Sequence, residues 1–195
     1  MARVRPRVRA IGVIGAGKVG RGIALAAAAG GYRTILEDLL PNALRRAESE
    51  LRASLDQAVE VSRISAGAAG AAFARLEFAG SVEEAARQAD LVIEAGPEEM
   101  ESKVEIFTLL DKICRPGTIL VSNLVSLSIT EISRVTYRAK NCLGMRFADP
   151  LDGQNKLEVI RGQETDEETL ATAVEVGKRM GKEVVVVNDA VAALP

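Results

Sequence analysis

Short apolar runs alternate with stretches of helical periodicity from one end of the chain to the other. That alternation predicts an α/β, Rossmann-type doubly wound, mostly parallel sheet with helices on both faces. Ala10–Ile14 reads as the first strand, residues 19–29 as a helix of small residues, and 34–37 as the second strand. Pro41 suits the first position of a long helix, and its apolar stripe of Leu44, Ala47, Leu51, Leu55 and Ala58 falls at helical spacing. A break at 62–65 and a second helical stretch over 66–75 predict a helical hairpin insertion, weakened by Gly67 and Gly70. Leu76–Ala79, Leu91–Glu94 and 118–122 read as further strands. Between the last two lies a helix with Met100, Val104, Phe107 and Leu110 on one face, ended by Pro116 and Gly117. Residues 142–146 and 157–160 are two more strands, and Thr165 with Glu168 is spaced as a capping box for a helix reaching Met180. Residues 184–187 form a final strand, expected to be buried. No repeat and no long linker divides the chain, so residues 1–195 are expected to be a single domain.

Composition narrows the chemistry. Hydrophobic residues make up 48% of the chain but aromatics only 3%, so the core falls to Val, Ile, Leu and Ala. The scarcity of stacking residues and a formal charge of −2 argue against nucleic acid and against an acidic membrane surface. Arg3, Arg5, Arg7 and Arg9 form a basic arm that reads as a solvated terminus. A short strand and Gly-rich sequence carrying Lys18 and Arg21 follow it, rather than the apolar stretch of a signal peptide. Charges interrupt every apolar run before membrane-spanning length. Cys114 and Cys142 give neither metal spacing nor a disulfide framework, and read as reduced core thiols of a cytoplasmic protein. The chain has no histidine, the usual base near neutral pH and the commonest metal ligand. Chemistry is therefore left to carboxylates, lysines, hydroxyls or a bound cofactor, with no metal expected.

Gly15-Ala16-Gly17-Lys18-Val19-Gly20 follows the first strand and opens a helix. In that context Gly15 serves the tight turn, Gly17 the approach of a pyrophosphate, and Gly20 the close packing of helix on strand. The helix N-terminus, including the amides of Lys18 and Val19, supplies N–H groups and partial positive charge for phosphates. Asp38 ends the second strand 18 residues after Gly20. A carboxylate there accepts hydrogen bonds from the adenosine ribose and repels a 2′-phosphate, which selects NAD over NADP. Asp38 also suits a strand-end turn before Pro41, and the two roles are compatible. Glu37 alternates to the opposite face, so Asp38 is the expected ligand.

From about Ile11 to Asp189 the chain resembles the NAD-binding domain of the 3-hydroxyacyl-CoA dehydrogenases. The resemblance is carried by separate blocks in order: Ile11-Gly12-Val13-Ile14-Gly15-Ala16-Gly17 through Gly22-Ile23-Ala24, Leu91-Val92-Ile93-Glu94-Ala95, Pro97-Glu98-Glu99, Ser122-Asn123, Ser126-Leu127-Ser128-Ile129-Thr130 and Leu157-Glu158-Val159-Ile160-Arg161-Gly162. It implies that Glu98 contacts the cofactor and that Lys103 lies near the nicotinamide half. An ordinary charged first turn of a solvent-facing helix is the competing reading for both.

The family's reaction is hydride transfer between C3 of a 3-hydroxyacyl-CoA and NAD. A histidine acts as base, opening a His-Phe-Phe-Asn-Pro segment, and a glutamate supports it. This chain instead reads Gly144-Met145-Arg146-Phe147-Ala148-Asp149-Pro150. Arg146 thus occupies the base's position, and a guanidinium stays protonated and cannot accept the proton. Asp149 stands where the resemblance places a cofactor-contacting asparagine. Val125 replaces a substrate-binding hydroxyl, Ser54 matches a serine that touches CoA, and Val61 stands where a basic residue is expected, with Arg63 nearby. Glu158 matches the supporting glutamate, and an Arg146–Glu158 ion pair is the expected local outcome. After Asp189 the family continues into a helical domain, which is expected to be absent from this chain.

Three readings follow. The chain is an NAD(H)-binding relative lacking the standard dehydrogenase apparatus, or an active NAD-dependent oxidoreductase on an acyl-CoA or another hydroxyacid, or a structural subunit without a ligand. In the second, Arg146 would clamp a carboxylate or phosphate and Asp149 or Glu158 would act as base. A homo-oligomer or a partner protein is expected to cover the carboxyl edge of the sheet.

Overall fold

The computed structural model describes residues 8–147 and 155–189. Among them an eight-stranded sheet runs in the order β3-β2-β1-β4-β5-β6-β7-β8. The strands are β1 (Ala10–Ile14), β2 (Arg33–Glu37), β3 (Leu76–Ala79), β4 (Leu91–Glu94), β5 (Ile119–Asn123), β6 (Cys142–Phe147), β7 (Lys156–Arg161) and β8 (Glu183–Asn188). All neighbours are parallel except β6 and β7. The chain runs from β1 outward to β2 and β3, then returns to β4 on the other side of β1. The carboxyl ends of β1 and β4 therefore flank a topological switch point, where such sheets bind ligands.

Alternation along each strand sends side chains to two cores. Val13 and Leu36 pack with Ile23, Ala24 and Ala27 of α1 (Lys18–Ala29), with Leu51 of α2 (Pro41–Glu60) and with Ala173 and Val176 of α7 (Glu167–Arg179). On the opposite face Ile14, Ile35 and Val92 pack with Val82 of α4 (Val82–Ala86), Phe107 and Leu110 of α5 (Met100–Ile113), and Ile132 of α6 (Ile129–Ser133). As composition requires, these cores are almost wholly aliphatic. α2 and α3 (Ala66–Phe73) form the expected hairpin, closed on Leu55, Ala69 and Ala72, with the Arg52 guanidinium 4.1 Å from the centre of the Phe73 ring. Cys114 and Cys142 are free and buried, and burial pushes their thiols up to about 11 and about 12.

Several expectations need correction. The cap of α7 is Asp166, whose carboxylate accepts from the Thr169 amide, so the capping-box spacing of Thr165 and Glu168 is not the one used. The Thr165 hydroxyl instead donates to the Cys142 carbonyl at 2.6 Å. β8 is not buried: Val185 and Val186 are exposed, because β8 is the last strand of the sheet. α4 and α6 carry no periodic signal because each is only five residues long; Ser81 and Ser128 cap them. No helix among the described residues is long and apolar enough to cross a membrane.

Candidate functional site

β1 ends in the glycine loop. Gly15 has φ +102°, a left-handed conformation that L side chains rarely adopt, and a Cβ there would meet the Ala95 carbonyl oxygen at 3.2 Å. Gly20 is more constrained still, since a Cβ would lie 1.8 Å from the Gly15 carbonyl oxygen. Loop and helix can close only over hydrogen at that position. Nothing lies within 4 Å of a Cβ built on Gly17, so the backbone is open there to an approaching group. Gly17 also begins α1 without a side-chain cap, and no acidic residue lies in the first turn. The N-terminal amides of α1 are thus presented at the open side of the loop, an arrangement suited to a phosphate.

Asp38 is fixed against this loop. Its Oδ2 accepts from the Ala16 amide at 3.1 Å and its Oδ1 from the Leu40 amide at 3.0 Å. Arg21 braces the other side, donating to the Ala16 carbonyl at 2.8 Å and pairing with Glu50 of α2 at 2.6 Å. A cavity of about 900 Å³ opens beside the loop, bordered by Gly15, Asp38, Leu40, Gly96, Pro97 and Ile106. A turn glycine, an uncapped helix start, an acid at the end of β2 and an apolar cavity beyond it fit a dinucleotide.

Glu37 also lines this cavity, on the face shared with Ile14 and Ile35. It is 2% exposed, and its Oε1 is buried without a hydrogen-bond partner. Burial, aided by the charge of Asp38, pushes its carboxyl up to about 7. Spacing sets it opposite Asp38 but gives no sign of this burial.

Behind the cavity lies a buried polar network. Lys103 Nζ donates to Glu94 Oε2 at 2.8 Å and to the Asn123 carbonyl at 2.9 Å. The Ser122 hydroxyl donates to the same Glu94 oxygen at 2.6 Å, and the Gly96 amide to the other at 2.6 Å. Lys103 lies on no solvent face, as its fourteen-residue helix carries it inward with Phe107 and Leu110. Glu98 precedes that helix, and its Oε1 accepts from the amides of Val125, Ser126 and Leu127 at 2.9, 2.8 and 3.1 Å. Burial raises the Glu98 carboxyl, but these amides and Lys103 outweigh it and hold it below the usual range. Neither side chain is the ordinary surface charge of a helical first turn. Lys103 ties β4 and α5 to the end of β5, and Glu98 holds the segment that follows it.

Arg146 and Glu158 stand directly opposite in the antiparallel register of β6 and β7. Their expected ion pair forms, with Nη1 2.5 Å from Glu158 Oε2, and Arg146 Nε donates to the Leu124 carbonyl at 3.3 Å. Both side chains are about half exposed, at 43% and 38%. Val125 is 64% exposed nearby in sequence, beyond the end of β5. Ser54 is exposed on α2 with its hydroxyl donating to the Glu50 carbonyl, and Val61 is exposed at the end of that helix. Asp149 lies outside the described residues.

Residues 10–190 match the 3-hydroxyacyl-CoA dehydrogenase, NAD binding domain. The chain is 40% identical over 182 residues to a probable 3-hydroxybutyryl-CoA dehydrogenase of Bacillus subtilis, covering 93% of this chain and 63% of that protein. It is 36% identical over 177 residues to the fatty acid oxidation complex subunit alpha of Acinetobacter baumannii, covering 91% of this chain and 24% of the other. The crystal structure of (S)-3-hydroxybutyryl-CoA dehydrogenase from Ralstonia eutropha superposes with a TM-score of 0.89 at 32% identity, covering 94% of this chain and 64% of that one. The chain thus spans under two thirds of the length of these relatives.

Proposed function

The chain belongs to the 3-hydroxyacyl-CoA dehydrogenase family as its NAD-binding domain, and from that premise we propose that it holds NAD(H) without performing the family's histidine-dependent reaction. In this reading the pyrophosphate lies over Gly15, Gly17 and Gly20, against the amides of Lys18 and Val19, and Asp38 takes the adenosine ribose. Glu98 and Lys103 shape the nicotinamide end by fixing residues 123–127, and Asp149 is assigned a cofactor contact by its position in the motif. When bound, NAD(H) supplies the hydride acceptor or donor.

The Arg146–Glu158 pair carries the proposal. The position corresponding to the base holds a cation already paired with the corresponding glutamate, and a guanidinium cannot take a hydroxyl proton. The open glycine loop speaks against a ligand-free structural subunit. The half-exposed guanidinium supports a second reading, in which Arg146 binds the carboxylate or phosphate of a different hydroxyacid or acyl-CoA substrate and Glu158 or Asp149 serves as base. A second copy of the chain is the proposed partner, on the support of the apolar edge strand β8; light scattering across a concentration series tests it. NADH titration followed by nicotinamide absorbance assays with hydroxyacyl-CoAs and free hydroxyacids tests the main reading. Binding without turnover of acetoacetyl-CoA is the expected result. Efficient turnover by the unmodified chain would overturn it.

A further inference from the structure

We infer that Glu37 is a further cofactor-reading residue, whose buried carboxyl hydrogen-bonds the adenine edge of the dinucleotide in the cavity bordered by Asp38. The inference rests on the proposed placement of the pyrophosphate at the glycine loop and of the ribose at Asp38. From the end of β2 the adenosine continues into a space walled by Leu40, Pro97, Ile106 and Leu109, apolar surfaces suited to the faces of a flat base. A base also has a polar edge, and burying that edge without partners is costly. Glu37 lines the same cavity, is 2% exposed, and is the one side chain among the described residues with a buried polar atom lacking a partner. A carboxylic acid offers one O–H donor and one acceptor oxygen. An adenine edge offers an exocyclic N–H₂ and a ring nitrogen, so donor meets acceptor twice.

The pairing needs the protonated form, and the surroundings of Glu37 favour it. Asp38 is its neighbour on the chain, Glu83 faces the cavity from α4, Glu94 from β4 and Glu105 from α5. Glu83 is paired with Arg87, and Glu94 with Lys103. The adjacent strand positions on β1 and β3 are Ile14 and Ala79, which carry no charge. No lysine or arginine lines the cavity among the described residues, and the backbone N–H of Gly15 offsets an ionised Glu37 only in part. Burial first, and then the charge of Asp38, lift its carboxyl to about 7, close enough to neutrality for bound base to set its proton.

Calorimetric titration of the full chain with NADH, AMP and nicotinamide mononucleotide tests this, for wild type, Glu37→Gln and Glu37→Leu. Affinity of wild type for NADH and AMP should fall about tenfold between roughly pH 6.5 and pH 8.5, with proton uptake revealed by buffers of different ionisation enthalpy. Glu37→Gln keeps a donor and an acceptor and should bind with no such slope. Glu37→Leu should bind AMP about tenfold more weakly at the lower pH, the cost of an unpaired base edge. Nicotinamide mononucleotide should show none of these effects. A Glu37→Gln profile with the wild-type slope, or a slope that follows nicotinamide mononucleotide rather than AMP, overturns the inference. If Asp38→Ala still loses NAD preference in that event, the cofactor placement survives and only Glu37 is misassigned. An Asp38→Ala variant with unchanged preference overturns the placement itself.

Discussion

The Lys103 ammonium lies 2.8 Å from Glu94 Oε2, with Lys103 fully buried and Glu94 3% exposed. The pair joins α5 to β4 beside the cavity at the glycine loop, and the Asn123 carbonyl and Ser122 hydroxyl complete it. Removing one partner of such a pair leaves an uncompensated charge away from water, whereas removing both costs far less. Lys103→Met should therefore destabilise the fold by about 3–5 kcal/mol, and Glu94→Gln added to it should recover much of the loss. Urea unfolding of the two variants checks this; a lone Lys103→Met as stable as wild type would refute it.

Gly20→Ala is the sharpest local test of the glycine loop. Its Cβ would stand 1.8 Å from the Gly15 carbonyl oxygen, a backbone atom that cannot rotate aside. Separating α1 from the loop should cost about 1–3 kcal/mol of overpacking strain and displace the amides proposed to hold the pyrophosphate. Gly17→Ala meets no protein atom within 4 Å and should leave stability nearly intact. Thermal melts with and without NADH separate the two effects. Equal stability of both variants would refute the packing argument.

The same residues show what was legible in the sequence. β1, the glycine loop and β2 are plain because short apolar runs, three glycines and a terminal acid sit within one unit, and all depend on local geometry. The inward turn of Lys103 was written in its spacing from Met100, Phe107 and Leu110, but a lysine on that stripe reads as a surface charge until Glu94 is seen beneath it. Alternation sets Glu37 opposite Asp38, yet both line the same cavity. The burial of Glu37 has no sequence signal: Val82, which lines the same cavity, belongs to a five-residue helix too short to have a period. Four consecutive valines made β8 look interior, yet burial depends on what lies beside a strand, and β8 ends the sheet. At the start of α7 the spacing of Thr165 and Glu168 reads as a capping box, but the Thr165 hydroxyl donates to the Cys142 carbonyl and the Asp166 carboxylate accepts from the Thr169 amide.

Asp38→Ala should narrow the preference for NADH over NADPH. The carboxylate already accepts from the Ala16 and Leu40 amides, so it is positioned before any ribose arrives. Losing a charged hydrogen bond to the ribose should cost about 1–3 kcal/mol of NADH affinity. Relief of repulsion toward the 2′-phosphate should raise NADPH affinity at the same time. Parallel titrations with both cofactors check the ratio, and equal affinities in wild type would sink the assignment.

Glu37 should also make stability depend on pH. Its carboxyl is raised from 4.5 to about 7, so the folded chain holds a proton that the unfolded chain releases earlier. Its contribution is fully present below about 4.5, is lost as pH rises to about 7, and is constant above. The loss is on the order of 3 kcal/mol, at about 1.4 kcal/mol for each tenfold difference in proton affinity between the folded and unfolded chain. Glu37→Gln removes that titration, so its stability relative to wild type should grow across the window. Denaturation midpoints at about pH 4.5 and about pH 8 give the comparison; the same difference between the two proteins at both values would refute it.

Arg146 bears on activity most directly. In the register of β6 and β7 it faces Glu158, and the two are joined at 2.5 Å, so a histidine placed at 146 would meet a carboxylate able to orient it. Wild type should bind NADH yet turn over acetoacetyl-CoA at a rate lower by two to four orders of magnitude than an enzyme with a positioned base, about 3–5 kcal/mol of barrier. Arg146→His with Val125→Ser should raise turnover above wild type if the base and the hydroxyl are what limits it. Glu158→Gln in that background should then lower it again, because a histidine without its carboxylate loses both orientation and basicity. Arg146→Lys separates the alternative of an anion clamp: it keeps the charge but loses the planar fork, and should weaken a carboxylate substrate through KM with little change in kcat. Single-turnover and steady-state assays with NADH, over a panel of 3-oxoacyl-CoAs and free oxoacids, distinguish these outcomes. Turnover of acetoacetyl-CoA by wild type at the level of the double variant would show that Arg146 does not block the reaction.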